Sequence, residues 1–458
     1  MNKNTYTSID YDWLFKPTGD PFANAGGYAL KVFAETFPDD DILQLISRAT
    51  DIYVDKWNSN LYFFFPNSNI TQTNQKFSDK KYKKEQAIKG FKNILNCVDA
   101  NNGVCRITGR KTNVFVAGKH NYVLAGSKSM VNFHHGFEDG LMVSAEMLIR
   151  LFFLPFAVKT VNGFNCVIGS NSSMVEEQIA KINCNKNFAE LSRGTSQCAL
   201  KSKSNDPSTE LFRTADEILK VDSDDDKIYL QLYRFKNAAR ATDFEKYTLP
   251  FEGMDFYRFV NKAKYKDDWK QFVTTKYYIY NTKKKKRDFV PDIENADEDQ
   301  FKYWKNSVYE KFINGVSILP EILKWSKENK FNFDIVKFYE IKVRKMKKET
   351  ISKIEQMADF IFEANTDKSS INKAIKKLYA VDSSYDLRRF VLKDIVAKYY
   401  EKHADEEQAI ITVNDYTNYL FPDTDSWKET RDVLIIALFQ KLHEKNMQID
   451  IEEEQQEN

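Results

Sequence analysis

The chain has 458 residues, with 68 Lys+Arg against 66 Asp+Glu and a formal charge of +2, so net charge argues for no polyanionic partner and any basic surface must be local. At 42% hydrophobic and 14% aromatic residues it can bury sizeable cores and is long enough for two or three domains. Five scattered cysteines (Cys97, Cys105, Cys166, Cys184, Cys198) argue against a disulfide framework and offer no close thiol pair for structural zinc.

Taken in chain order, the opening MNKNTYTSIDYDW is polar and aromatic, unlike a secretory signal, and a cytoplasmic location is expected. TGDPFANAGGYALKVFAE predicts a helix capped by Asp20 with Pro21 at its first position. Gly26 and Gly27 weaken its first turn, which implies a close approach there, either by a neighbouring backbone or by a ligand. Residues 50–135 read as mixed, with strands expected at Asn60–Pro66, Thr112–Gly118 and His120–Gly126, the last two pairing as a hairpin around Gly118 and Lys119. Leu141–Val158 is apolar but carries Glu146, Arg150 and Pro155, which suits a buried helix and not a membrane span. The Ser- and Asn-rich stretch Ser170–Ser208 reads as irregular surface or an inserted loop, and Lys227–Phe235 as a strand.

After about residue 300 glycine almost disappears and helical periodicity takes over, with a break near Asn329–Asn332. Leu387, Phe390, Val391, Ile395 and Tyr399 form one apolar stripe; Trp427, Val433, Leu434, Ala437, Leu438 and Leu442 form another. The expected fold class is α+β: a large mixed N-terminal domain over 1–292 followed by a C-terminal antiparallel helical bundle over 293–458. The terminal IEEEQQEN reads as a solvated acidic tail.

Charge is concentrated twice. Between Asn101 and Lys128 stand Arg106, Arg110, Lys111, Lys119 and Lys128 with no carboxylate, and Asn113 and Asn121 lie among them. Amide and guanidinium groups on turns can reach base edges, although turn chemistry alone also selects Asn and Gly. Residues 261–287 hold ten Lys/Arg against Asp267 and Asp268, a net of +8, ending in Lys283, Lys284, Lys285, Lys286 and Arg287. The interleaved Tyr265, Trp269, Phe272, Tyr277, Tyr278 and Tyr280 either stack unpaired bases or fill a core, and the lysines either grip phosphates or form a solvated face.

FHHGFEDG places His134, His135, Glu138 and Asp139 within six residues, the ligand types of a nuclease metal, and a metal-dependent nuclease is the alternative reading. No second carboxylate cluster completes that site, and no Walker loop, nucleophile elbow or HExxH is present, so binding without catalysis fits better.

TGDPFANAGGYAL, then CRITGRKT, then GLMVSAEMLIRLFFLPFAV and a helical C-terminal third together resemble the large subunit of type I-B CRISPR interference complexes (Cascade), in the group named for two CXXC pairs. Cys105 is followed by Arg106, Ile107 and Thr108, so the second cysteine is missing, and residues 97–126 look like a zinc knuckle that kept its turn glycine and cations but lost its ligands. The resemblance implies a non-catalytic protein; the missing cysteine argues against a bound zinc, and no metal or cofactor is expected. It implies contact with the crRNA 5′ handle end, recognition of the protospacer-adjacent motif in double-stranded target DNA, R-loop formation along the displaced strand, and recruitment of a helicase-nuclease. Its implied partners are the backbone, handle-binding and small subunits of the complex, with no membrane. The C-terminal bundle resembles the small subunit, which is often made from an internal start, and Met346 is the candidate start here.

Overall fold

The computed structural model describes every residue except 1–5, 58, 125–139, 195–199, 221–226, 238–241, 290–297, 366, 405–407, 424 and 448–458. The chain is mixed in helix and strand, with a helical C-terminal region. It forms two compact units: Met1–Pro250 with Asp297–Trp304, and Phe251–Ala296 with Lys305–Asn458. The division at Pro250 precedes the shift in glycine content near residue 300.

The first unit opens with α1 (Pro21–Thr36), whose N-cap Asp20 accepts from the Ala23 N–H at 2.8 Å, and α2 (Ile42–Asp55), which starts with an Asp41–Gln44 capping box. Next come α3 (Lys80–Leu95), β1 (Asn101–Val104), β2 (Lys111–Ala117), β3 (Leu141–Ser144) and α4 (Ala145–Ala157). They are followed by β4 (Lys159–Val161), β5 (Phe164–Ser170), α5 (Ser173–Ser192), β6 (Leu200–Lys201), α6 (Pro207–Leu219), β7 (Leu230–Asn237) and β8 (Thr242–Leu249). β1-β2-β3 form one antiparallel sheet, and a five-stranded sheet runs β6-β4-β5-β7-β8 with only β4–β6 parallel. The core lies where α1 crosses α4 and α5: every residue of α4 is buried, and Phe33 packs edge-on to Phe153 and Phe156.

Arg150 anchors that crossing. It is fully buried, yet its guanidinium donates to the carbonyls of Ala23 (2.7 Å), Trp13 (3.1 Å) and Lys16 (2.7 Å) and to Asn24 Oδ1 (3.1 Å), while Asn24 donates to Glu176 at 2.8 Å. Burial lowers its pKa to about 10, and Tyr28, Asp20 and Glu176 oppose the shift, so the charge is kept at neutral pH. The close approach expected at Gly26 and Gly27 is therefore helix packing, with the Arg150 backbone against Gly26 and its guanidinium against Gly27.

Three sequence expectations fail in this unit. Asn60–Pro66 is no strand: Ser59–Phe63 is a 3-10 turn, and the adjacent Phe64 and Phe65 are both buried, which the two-residue alternation of a half-buried strand does not allow. His120–Gly126 is not the hairpin partner of β2, because Asn121 and Tyr122 turn back onto the Gly118 carbonyl and β2 pairs with β1 and β3 instead; residues 125 and 126 lie outside the described ones. Within Ser170–Ser208 the polar residues build the 20-residue helix α5. Its buried Asn183 and Asn187 donate to the Ala157 (3.0 Å), Phe156 (2.8 Å) and Val158 (3.1 Å) carbonyls, so these asparagines satisfy the end of α4.

The second unit begins with α7 (Phe251–Val260), α8 (Lys266–Thr274) and the hairpin β9 (Tyr277–Asn281) and β10 (Lys286–Phe289). After the single turn α9 (Glu298–Phe301), which belongs to the first unit, come β11 (Lys305–Asn306), paired with β9, and α10 (Ser307–Ile313). The remaining helices are α11 (Leu319–Glu328), α12 (Phe333–Phe338), α13 (Lys348–Ala364), α14 (Lys368–Tyr379), α15 (Ser384–Phe390), α16 (Ala397–Lys402) and α17 (Trp427–Glu444). α17 is not the one-sided stripe of a surface helix. From Asp432 to Phe439 every residue is buried, because α11 to α15 pack around it.

Glu340, in a π-helical turn at Tyr339–Val343, is fully buried with neither carboxylate oxygen hydrogen-bonded. Burial, reinforced by Glu429, pushes its pKa from 4.5 up to about 8. A carboxyl held above its unfolded pKa contributes full stability below about pH 4.5 and loses it as the pH rises towards 8. Glu340→Gln is therefore expected to gain roughly 1–3 kcal/mol at pH 8 and to change little at pH 4.5, as measured by urea denaturation at both values.

Candidate nucleic-acid interface

The turn between β1 and β2 is closed by backbone hydrogen bonds. Cys105 N–H donates to the Arg110 carbonyl (2.9 Å), Gly109 N–H to the Cys105 carbonyl (2.8 Å) and Arg106 N–H to the Met142 carbonyl (2.8 Å); Gly109 takes φ +69°, where a side chain would be strained. Cys105 is fully buried, and Ser144 N–H donates to its sulfur at 3.4 Å. Burial raises the thiol pKa, but hydrogen bonds from the Thr108 hydroxyl and from the Ser144, Thr108 and Ile107 amides outweigh it and leave the thiol below its ordinary value. Thr108, three residues after Cys105, thus supplies a donor to its sulfur. Cys97, Cys105, Cys166 and Cys184 are free thiols, and among the described residues no group of three or more His, Cys, Asp or Glu could hold a metal ion.

The basic residues of this segment divide by role. Arg106, Lys111 and Asn113 are exposed, and Asn113 donates to Cys97 Sγ at 3.3 Å. Arg110 bonds Asp10 at 3.1 Å and lies 4.7 Å above the Trp13 ring; Lys119 is only 9% exposed; Asn121 Oδ1 accepts from Gly118 N–H at 3.0 Å. The last three serve the local structure. Lys128, His134, His135, Glu138 and Asp139 lie outside the described residues.

The second island resolves more sharply. Tyr265, Trp269, Phe272, Tyr277 and Tyr278 are buried, so of the interleaved aromatics only Tyr280, 52% exposed, is free to meet a base. Lys264 pairs with Asp334 (2.8 Å), and Lys276, nearly buried, with Glu321 (3.6 Å). Lys283, Lys284 and Lys285 occupy the tip of the β9–β10 hairpin, where Asn281 Oδ1 accepts from Lys284 N–H at 3.1 Å. All three are exposed, and no carboxylate among the described residues pairs with them. Lys286 stands 3.9 Å from Asp288, and Arg287 3.6 Å from Glu310 and 4.6 Å above the Tyr278 ring, so both keep an exposed side while partly neutralised. Three adjacent ammonium groups repel one another, and a polyanion relieves that repulsion.

A third basic element went unused in the sequence reading. α3, KKYKKEQAIKGFKNIL, buries only Ala87 and Leu95. Lys80 and Lys84 bond Asp55 and Asp51, whereas Lys81, Lys89 and Lys92 are exposed with no partner among the described residues. The signal was legible as six lysines against Glu85 in one helix.

Among the described residues no helix is long and apolar enough to cross a membrane. Comparison of the chain with protein-family models, with curated proteins and with solved structures found no match in any of the three.

Proposed function

We propose that this chain is a nucleic-acid-binding subunit that breaks no bonds itself, and that it serves as the large subunit of a type I-B CRISPR interference complex. The observation that carries the binding reading is the exposed tip Lys283–Lys285, three cations without carboxylate partners among the described residues. In this reading the tip grips the displaced strand, while Arg106, Lys111 and Asn113 on the knuckle approach the motif-bearing duplex or the crRNA handle. Binding energy of this kind suits an exchange of duplex for heteroduplex that is nearly balanced, where contacts to a short motif and a backbone decide the start.

The finer architecture belongs to the same proposal: a mixed N-terminal domain, then an antiparallel bundle equivalent to the small subunit. Met346 lies in the non-helical link just before α13, so a product initiated there begins with an intact helix. Such a product lacks α11, which packs on α17, and needs another surface to cover that face.

The test is titration of labelled duplex and single-stranded DNA with the purified chain at low salt, with magnesium or manganese added. Binding is expected, with the DNA intact on a denaturing gel. Cleavage that disappears in His134→Ala would replace this reading with the nuclease, and failure to bind either DNA would remove it.

A further inference from the structure

A cavity of about 460 Å³ opens in the first unit between α3, β2, the turn after it, and α4. That size falls within the roughly 300–1,000 Å³ of small-ligand sites. Its walls are aromatic: Phe65, Phe91 and Phe152 face it with other apolar side chains. Its rim is amide-rich, with Asn67, Asn93 and Asn121, and carries the carboxylate of Asp99. Among the described residues the side-chain amides of Asn67 and Asn93 have no hydrogen-bond partner, and Asn121 spends only its oxygen, on Gly118.

Two features indicate that the space is maintained. Gly90 sits inside α3, where glycine costs about 1 kcal/mol relative to alanine, and a Cβ built there meets nothing within 4 Å. Packing therefore does not demand the glycine, and its missing side chain leaves that part of the cavity wall open. Just beyond the end of α3, Cys97 (φ +56°) and the cavity-lining Asp99 (φ +61°) both occupy the left-handed region, which non-glycine residues seldom adopt.

We propose that the cavity receives one unstacked nucleobase of a bound strand, with amino-bearing bases preferred over thymine or uracil. The inference rests on the nucleic-acid-binding reading above. Aromatic walls stack a base face, amides pair with either donors or acceptors on its edge, and a carboxylate accepts from an exocyclic amino group. The exposed Lys89, one helical turn before Asn93, stands ready for the adjoining phosphate.

The experiment uses the full chain and single-stranded oligonucleotides carrying one 2-aminopurine, with oligo-dC and oligo-dT compared separately. On wild type the 2-aminopurine emission changes on binding, and oligo-dC binds more tightly than oligo-dT. Gly90→Phe, which fills the cavity from open space, is expected to melt as cooperatively as wild type, to lose the emission change and to bind about tenfold more weakly. Asp99→Asn, on the exposed rim, is expected to bring the two homopolymers to parity while leaving the fold intact. Unchanged emission and affinity in Gly90→Phe would overturn the pocket and leave strand binding standing. An apolar dye that enters the cavity and is not displaced by oligonucleotide would assign it to an apolar ligand. Failure of wild type to bind any oligonucleotide at low salt would overturn both readings.

Discussion

Gly26→Ala is expected to destabilise the first unit by more than about 3 kcal/mol, enough to remove most soluble protein. The added Cβ would lie 2.0 Å from the Arg150 carbonyl oxygen, 2.7 Å from its carbon and 3.3 Å from the Leu154 nitrogen, all backbone atoms of α4. No rotamer change relieves a clash with backbone, so α1 and α4 must separate. Separation also draws Arg150 away from the Ala23 carbonyl and Asn24, leaving a buried guanidinium partly unpaired, which adds to the loss. Gly90→Ala is the control of opposite sign: its Cβ enters open space, and the variant should gain up to about 1 kcal/mol in urea denaturation. A Gly26→Ala protein as stable as wild type would show that the helices do not meet this closely.

Local signals carried much of the fold. Asp20 and Pro21 announce α1, TNVFVAG gives β2, the apolar run Leu141–Val158 gives α4 although its first four residues form β3, and helical periodicity marks α11 to α17. Expectations failed where tertiary demand overrode local chemistry. Asn183 and Asn187 read as loop residues because asparagine favours turns, yet they satisfy carbonyls on another helix, a partner no local pattern displays. Likewise Phe64 and Phe65 have the composition of a strand, but both are buried in a non-strand segment.

The candidate site was legible to a similar degree. Charge counting finds Lys283–Lys285, because they belong to a run of five cations, Lys283–Arg287, with no carboxylate between Asp268 and Asp288. It also includes Lys119, Arg110 and Lys276, whose charges serve this protein's own interior and ion pairs. Pairing is a property of the fold, and counting along the chain does not reveal it. The cavity was invisible for the same reason: its lining comes from segments as far apart as Phe65 and Phe152.

Lys283→Glu, Lys284→Glu and Lys285→Glu together are the second large prediction. Each lysine that neutralises a phosphate releases a counterion, a gain of nearly tenfold per contact at about 0.1 M salt. Losing three such contacts and installing three carboxylates should weaken strand binding by a factor on the order of a hundred or more. Folding should hardly change, because these side chains are exposed at a hairpin tip and have no partner among the described residues to lose. Unaltered thermal melting beside collapsed affinity is the expected pair of results.

The most direct measurement of the central claim is the salt dependence of binding to a labelled single strand between about 50 and 200 mM, for wild type and the triple variant. If cationic side chains grip the phosphate backbone, log affinity falls linearly with log salt in wild type, and the slope of the triple variant is shallower by about 2. Equal slopes and equal affinities for the two proteins, or wild-type binding indifferent to salt, would contradict the account.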